Sequence, residues 1–203
     1  MLDIGGKGGW KKALGTASAF QSVFSGKIRT TLILDRDYES DANHEKMIEE
    51  ANKHFLSLKI WSLKEIESFF LVPTALYRVI NGNGGAVLDL PACINMIGEE
   101  AEALKHDTIM STADSIHAGD KKQTVKACVA LAEKAIKTKL TSGLKLQDIV
   151  SGKQLISRLS ARCKTEFDVS FGALSLCKAL TASEIPSELK DLVSNLCAST
   201  PAS

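Results

Sequence analysis

The segment Lys27–Asp37, KIRTTLILDRD, decides how this sequence is interpreted, because its β-branched apolar run ends in two acidic residues. Such a run between two helical patterns is typical of a strand buried on both faces of a parallel sheet. The helical patterns cover about 9–24 and about 41–56, and Met1–Ile4 and Leu58–Trp61 are predicted as further strands. This alternation predicts a parallel α/β sheet with right-handed crossovers. The inward face of the second helix is predicted to carry Met47 or Ile48, Ala51 and Phe55.

Beyond this α/β pattern the sequence becomes helical. The turn residues NGNGG at 81–85 form a hinge-like stretch, and strong helical stripes follow it. We therefore predict a parallel α/β domain over 1–80 and an all-helical region over 86–203.

The overall charge is nearly balanced, with 25 lysines and arginines against 24 acidic residues in 203, a net charge of +1. A protein that binds nucleic acid through bulk charge is more basic than this, so phosphate contact requires a local patch or a bound cation. No apolar run approaches the roughly 18 residues of a membrane span. The five cysteines include no CxxC pair. We expect small buried thiols in a reducing compartment, hence a cytoplasmic protein without membrane contact.

Asp35 and Asp37 are the strongest chemical signal in the sequence. Ligands of open α/β sheets bind beyond the carboxyl ends of the strands, and residues i and i+2 of an extended segment point to the same side. Two converging carboxylates favour a hard divalent cation, usually Mg²⁺ held together with waters and a substrate phosphate. Alternatively, Asp37 or Asp41 caps the following helix.

Glu65 and Glu67 are the second signal, within WSLKEIESFFL at Trp61–Leu71. Acidic side chains are costly in so apolar a segment unless they are paired or bind a cation. The segment follows the next strand, so we expect it at the same sheet edge as the two aspartates. Charge at a helix N-terminus is the alternative explanation. We prefer that alternative for Glu65 and leave both interpretations open for Glu67.

Two glycine-containing turns are further candidates for phosphate contact. In GGKGG at 5–9, Gly6, Lys7 and Gly8 would present backbone N–H groups and an ammonium group at a helix start; the alternative is a tight strand-to-helix turn. The helix after SGK at 151–153 could present a basic face to a nucleic-acid backbone, or merely a solvated one. Its basic residues are Arg158, Arg162 and Lys164.

Three pieces in this order, IGGKGGW at 4–10, TLILDRDY at 31–38 and WSLKEIESFFLVP at 61–73, resemble a TOPRIM domain. They are most similar to the version in OLD-family (overcoming lysogenization defect) nucleases and related ATPase-linked proteins. VSGKQLISRLSARCKTEF at 150–167 resembles the helical region that follows the domain in such proteins. The resemblance covers about residues 1–80. It implies an α/β fold with a partial TOPRIM-like, Rossmann-like parallel sheet followed by an all-helical C-terminal region.

The resemblance also implies a metal site. In that family a glutamate after the first strand and a DxD after a later strand hold divalent metal for phosphodiester cleavage. Asp35 and Asp37 match the DxD, and Glu67 matches the glutamate of an EIEN-like segment, although Ser68 stands where asparagine is frequent. Lys153 matches a lysine placed after the domain. These residues are the expected catalytic set, and the three carboxylates are expected to bind Mg²⁺ or Mn²⁺.

The first-strand glutamate and a P-loop have no match in this chain, so we expect it to be the nuclease part of a longer protein with an upstream ATPase domain or subunit. Its substrate would be nucleic acid, most simply DNA, in phage defence or DNA processing. One metal ion would activate water while another stabilised the leaving oxygen. The alternative is a non-catalytic module that docks onto an ATPase or a partner subunit. A receiver-like phosphoryl-transfer regulator fits less well, and a homo-oligomer is left open.

Overall fold

The described residues form mainly helices, together with one small parallel sheet, in the computed structural model. The chain divides into two compact units, 1–62 and 63–203. This division lies earlier than the boundary at 80–86 suggested by the sequence, so most of the WSLKEIESFFL segment belongs to the second unit. The structure describes residues 6–25, 27–38, 41–82 and 88–198, and the predicted strand Met1–Ile4 lies outside them.

The first unit contains two parallel strands. β1 (Thr30–Leu34) pairs along its whole length with β2 (Leu56–Ile60). The helix α1 (Trp10–Phe24) precedes β1, and α2 (Asp41–Lys53) connects the two strands. Parallel neighbours need such a crossover, because both strands run in the same direction. The predicted parallel strand–helix–strand arrangement is therefore present in the described residues.

The strand β1 is less deeply buried than its sequence predicts. Leu32 and Leu34 are buried, whereas Thr31 and Ile33 are only half-buried. The prediction of a strand buried on both faces is therefore wrong for β1. In a sheet with two described strands, each strand has a described neighbour on one side only, which leaves more of its surface accessible.

Phe55 also departs from the prediction, since it is 61% exposed. The helix α2 ends two residues earlier, at Lys53, and Phe55 lies in the turn before β2 with a φ of +59°. Because the helix has already ended, the helical spacing that was expected to place the Phe55 side chain inward does not apply to this residue. Ala51 is fully buried and Met47 packs against the apolar core of this unit, as predicted.

The second unit is helical throughout the part that the structure describes. Two short segments, Ile66–Phe70 and Leu146–Asp148, are 3₁₀ helices. None of the described helices is long and apolar enough to cross a membrane. The α-helices of this unit are α3 (Pro73–Asn81), α4 (Leu90–Ala103), α5 (Lys105–Gly119), α6 (Val125–Thr141), α7 (Gly152–Phe167), α8 (Ala173–Ala179) and α9 (Ser187–Ala198).

The main apolar core of the second unit includes side chains of α3, α4 and α7. Leu155 and Leu159 of α7 belong to one cluster with Ile97 of α4 and Leu76 of α3. Each of the four is at most 1% exposed, and burial of such a side chain stabilises the fold by about 1.5–3 kcal/mol. The spacing of four residues places Leu155 and Leu159 on the same face of α7, which leaves its opposite face available for polar contacts.

The cysteines agree only in part with the expectation of buried thiols. Cys93, Cys128 and Cys163 are buried, whereas Cys177 and Cys197 are exposed. All five are free thiols. The expectation of small buried side chains is therefore wrong for the last two, which lie in the less deeply buried helices α8 and α9.

Glu184 ties α3 to the turn before α9. It accepts hydrogen bonds from Thr74 Oγ1 and Arg78 Nη2 of α3. The backbone N–H of Thr181 donates to it at 2.7 Å, and Arg78 Nε donates to the carbonyl of Ala179 at 2.8 Å. These donors, the Thr74 hydroxyl first and the Thr181 N–H second, lower the pKa of Glu184 to about 2.

The substitution Glu184→Gln should reduce the free energy of unfolding by about 1–2 kcal/mol at about pH 7. The folded-state pKa lies below the ordinary value of 4.5. The stabilisation is therefore fully present above that value and is lost as the pH falls toward about 2. Urea unfolding of both proteins at about pH 7 and about pH 3 measures the difference. A difference that is the same at the two pH values would contradict this account.

Candidate active site

The two aspartates of the DxD motif lie directly after β1. Asp35 is half-buried and Asp37 is exposed. Asp37 has a φ of +49° and belongs to a turn, in the left-handed region that aspartate tolerates better than most residues. The prediction that both carboxylates point to one side assumed an extended backbone. That assumption fails at Asp37, because the chain turns there.

Arg36, between the two aspartates, holds this turn in place. Its guanidinium pairs with Asp41 in the first turn of α2 and donates to the carbonyl of Trp61 at 3.4 Å. Its own carbonyl oxygen lies 3.0 Å from Nε2 of the buried His44 on α2. The turn is thus joined to α2 and to the residue after β2. Asp41 is the first residue of α2, where negative charge is favourable, and its capping of the helix stays a prediction.

Glu65 is buried in the second unit, with 6% of its surface exposed. Its carboxylate accepts hydrogen bonds from Lys64 Nζ at 2.8 Å and from Ser151 Oγ at 3.1 and 3.2 Å. The backbone N–H of Lys153 donates to it at 2.9 Å. Burial by itself would raise the pKa of Glu65, but the Lys64 hydrogen bond and the Lys153 N–H outweigh it, and the pKa is lowered.

These contacts place the Glu65 carboxylate at the start of α7. Ser151 is the N-cap of this helix and also accepts the N–H of Gln154 at 3.3 Å. The first N–H groups of a helix lack partners within the helix, and a carboxylate there is favoured by the helix dipole. The Glu65 charge thus lies at the start of α7, whose N-cap Ser151 is 86 residues away. Among the described residues, its side chain makes no capping hydrogen bond to the 3₁₀ helix Ile66–Phe70 that follows it, the helix start that the alternative supposed.

Glu67 lies two residues further on, in the 3₁₀ helix Ile66–Phe70. Its Oε1 is 4.0 Å from Lys153 Nζ. Its Oε2 is buried and has no hydrogen-bond partner among the described residues. An unsatisfied buried acceptor costs about 1–3 kcal/mol, and a charged one costs more. A cation, or a donor from a ligand, would remove that cost.

Gly152 permits the close approach of this 3₁₀ helix to α7. A Cβ at Gly152 would lie 2.7 Å from both the N and the Oγ of Ser68 and 3.1 Å from the carbonyl carbon of Glu67. Any larger residue would push the two segments apart. Since Lys153 is the next residue, the glycine also sets how close its side chain comes to Glu67.

A groove of about 560 Å³, here called the α7 groove, opens beside Glu67. One wall is a face of α7 and the other includes the segment 170–173. Ser160 Oγ accepts the backbone N–H of Phe171 at 3.0 Å, and this hydrogen bond joins the two walls. Residues spaced i, i+4, i+7 and i+11 share one helix face. The polar residues of the α7 wall with this spacing are Lys153, Ser157, Ser160 and Lys164.

The two arginines of α7 are engaged with α4 instead. Arg158 Nε donates to Glu100 at 2.8 Å, and Arg162 Nη1 donates to Glu99 at 2.7 Å. The Glu99 hydrogen bond is the main reason why the pKa of Arg162 is raised. Acidic groups of α4 pair with these two arginines, and a basic face for nucleic acid on α7 stays a prediction. Lys164 does line the groove.

The glycine-rich turn at the start of the chain is only partly described. Gly6 and Gly8 belong to a 3₁₀ helix, Gly6–Gly9, which leads directly into α1. A Cβ at Gly8 would meet nothing within 4 Å, so no described neighbour requires a glycine there. The side chain of Lys7 lies outside the described part of the structure. Phosphate contact at this turn stays a prediction.

The expected catalytic residues fall into two groups. Asp35 and Asp37 belong to the first unit, whereas Glu67 and Lys153 belong to the second. Over the ranges that the structure describes, there is no group of three or more His, Cys, Asp or Glu side chains that could hold a metal ion. Glu67 nevertheless has the chemistry of an open ligand, since its Oε2 is buried without a partner in those ranges. Mg²⁺ typically takes one or two carboxylates together with waters and substrate phosphate, so Glu67 alone would be only part of such a site.

No model of a known protein family matches the chain, and searches of curated proteins and of solved structures find no match. The resemblance to TOPRIM therefore stays a hypothesis carried by the motifs quoted above. The function has to be argued from the site itself.

Sequence reasoning missed Ser157, Ser160 and Ser170, which line the α7 groove. A single serine in a sequence does not indicate a binding site, because serine is common at protein surfaces. The available signal was the polar stripe from Lys153 to Lys164, which repeats with the helical period. Periodicity is usually sought in apolar residues, so a polar stripe with the same spacing is easily overlooked.

The substitution Gly152→Ala should lower the free energy of unfolding by about 1–3 kcal/mol, because the added methyl overlaps Ser68. Gly98→Ala is the matched control. Gly98 lies inside α4 with nothing within 4 Å of its Cβ position, so alanine there should stabilise by about 0.5–1 kcal/mol. Urea unfolding measures both. Effects of the same sign at the two glycines would contradict the close approach at Gly152.

The substitution Glu65→Ala should destabilise the protein by about 3–5 kcal/mol, because it leaves the buried Lys64 ammonium without this carboxylate. Glu102→Ala is the control, since Glu102 pairs with Lys105 at 2.6 Å on the exposed surface. It should cost less than about 1 kcal/mol. Chemical denaturation compares the two variants, and equal losses of stability would show that the Glu65 contacts are not structural.

Proposed function

We propose that this chain supplies metal-binding and phosphate-binding residues of a metal-dependent phosphodiesterase that cleaves nucleic acid. One observation carries the proposal: the buried Glu67 Oε2 has no partner among the described residues, while Glu67 Oε1 lies 4.0 Å from Lys153 Nζ. By the motif resemblance, Asp35 and Asp37, which follow β1 in the first unit, are also proposed as metal ligands. The bound ions would be Mg²⁺ or Mn²⁺.

The protein's own residues would divide the work around the substrate phosphate. Glu67 Oε2 would bind a cation, and divalent ions lower the pKa of a bound water and stabilise a leaving oxygen. The backbone of Lys153 is held by its hydrogen bond to Glu65, whereas its side chain is 58% exposed. Its ammonium group can therefore reach a non-bridging phosphate oxygen while the start of α7 stays in place. Positioned charge of this kind stabilises the developing negative charge of the transition state.

A local positive patch supports nucleic acid as the substrate. The helices α5 and α6 pack through a small apolar cluster of Ala113, Cys128 and Ala132. Residues 120–145, which include α6, contain seven lysines against two acidic residues. A patch of this kind attracts a polyanion even when the chain as a whole is nearly neutral. The exposed lysines of α6 are Lys126, Lys134 and Lys137.

The exposed side chains of α9 support a second candidate function, that of a non-catalytic docking module. None of its described side chains, 187–197, is buried. Val193 is 58% and Leu196 is 45% exposed. Contiguous exposed apolar surface often marks a site of protein–protein contact. In this interpretation the chain docks onto an ATPase or a partner subunit and cleaves nothing.

Nicking of supercoiled plasmid in the presence of Mn²⁺ tests the enzyme proposal. In the full-length protein the wild type should cleave, and Glu67→Gln and Asp37→Asn should each lower the rate by at least about 100-fold. Glu133→Gln, which removes an exposed acid of α6, is the control and should keep the wild-type rate. If Asp37→Asn cleaves at the wild-type rate, the DxD motif has no part in the mechanism.

Calorimetric titration of Mn²⁺ gives a second readout that does not depend on turnover. Glu67→Gln should weaken Mn²⁺ binding at least about tenfold relative to the wild-type chain and to Glu133→Gln. Unchanged metal affinity together with no cleavage would overturn the enzyme proposal in favour of the docking module.

A further inference from the structure

We propose that the α7 groove binds the sugar–phosphate backbone of one nucleic-acid strand, next to the phosphate that is cleaved. The identity of the strand as nucleic acid rests on the proposed function. The groove itself offers donors to a phosphorylated ligand, since its α7 wall presents two hydroxyls and two ammonium groups, which pair with Glu67 and Asp168.

The α7 wall has the length of a short strand segment. Lys153 and Lys164 are its two ends, with Ser157 and Ser160 between them. Eleven residues of α-helix extend about 16 Å. Stacked nucleotides rise about 3.4 Å each along one strand, so the wall can accompany several phosphates. The ammonium groups of Lys153 and Lys164 would contact phosphates of the strand and would not recognise its bases.

The donors of this wall suit phosphate oxygens, which only accept hydrogen bonds. Ser160 Oγ uses a lone pair for the N–H of Phe171, so its own O–H can still donate. Ser157 is exposed at the groove surface. Lys164 pairs with Asp168, but both side chains are largely exposed. Such a surface pair contributes little free energy, so the ammonium can turn to a phosphate.

The size of the groove suits the backbone of one strand. Its volume of about 560 Å³ lies within the range of about 300–1,000 Å³ found for small-ligand sites, so it could not enclose a duplex. Phe171 is only 9% exposed, so its ring is not a platform for base stacking. The contacts therefore involve the backbone, and the groove should bind with little sequence preference.

Glu67 sets the direction in which the strand enters the active site. Its carboxylate is at the Lys153 end of the groove, where a phosphate approaching alone would be repelled. A cation on Glu67 Oε2 reverses that repulsion. Phosphates held by the serines and Lys164 would then lead the next phosphate of the strand to the cation.

Fluorescence anisotropy of a labelled oligothymidylate of about 12 nucleotides tests the proposal, with Ca²⁺ replacing Mn²⁺ so that the strand stays intact. Ser157→Asp puts a negative charge in the groove and should weaken binding at least about fivefold. Gln154→Glu adds the same charge on α7 outside the groove lining and should weaken binding at most about twofold. Both positions are exposed, and thermal melting confirms that the variants are folded.

The salt dependence identifies the phosphate contact separately. Lys164→Gln should reduce the slope of log affinity against log salt by about 0.7, the value of one phosphate contact on a single strand. Either result, wild-type binding in Ser157→Asp or an unchanged slope in Lys164→Gln, would overturn the proposal. A wild-type chain that binds no oligonucleotide, or that prefers a duplex in competition, would overturn it as well.

The same measurements separate this proposal from the proposed function. If binding depends on Ser157 but no Mn²⁺-dependent cleavage occurs, the proposed strand-binding groove stands and the proposed nuclease activity is rejected. If cleavage depends on Glu67 but Ser157→Asp binds the oligonucleotide as the wild-type chain does, the proposed nuclease activity stands and the proposed groove is rejected.

Discussion

The contact between the Glu65 carboxylate and the start of α7 is the interaction on which the candidate site depends. Three donors, Lys64 Nζ, Ser151 Oγ and the N–H of Lys153, converge on one buried carboxylate. Their hydrogen bonds are charge-assisted, so they are stronger than those between neutral groups. These hydrogen bonds hold the segment around Glu65 against the start of α7, although Glu65 and Ser151 lie 86 residues apart in the chain.

The position of Glu67 follows from that contact. Glu65 has donors for its charge, whereas Glu67 Oε2, two residues later, is buried without one among the described residues. The same side-chain type can therefore have two roles, and the surroundings of each determine which. Gly152 keeps the segment close to α7, and the α7 groove continues from Glu67 along the helix. The contacts of Glu65 thus help to hold Glu67 beside the α7 groove.

The sequence predicts the local elements well, because their signals are local. The apolar periodicity of α1 and the β-branched run of β1 depend on neighbouring residues only, and the structure has both elements. Phe55 was predicted wrongly because α2 ends earlier than its pattern. The contact of Glu65 with Ser151 spans 86 positions, and no local pattern encodes such a distance. The apolar segment around Glu67 and the resemblance, which also matches Lys153, pointed to these residues, but their 4.0 Å approach required the fold.

The central claim is that Glu67 Oε2 receives a metal ion, and anomalous diffraction from crystals containing Mn²⁺ tests it most directly. The account predicts an anomalous peak about 2.1 Å from Glu67 Oε2, the distance typical of magnesium-type sites. A map with no peak at Glu67, in which a protein donor satisfies its Oε2, would contradict the account.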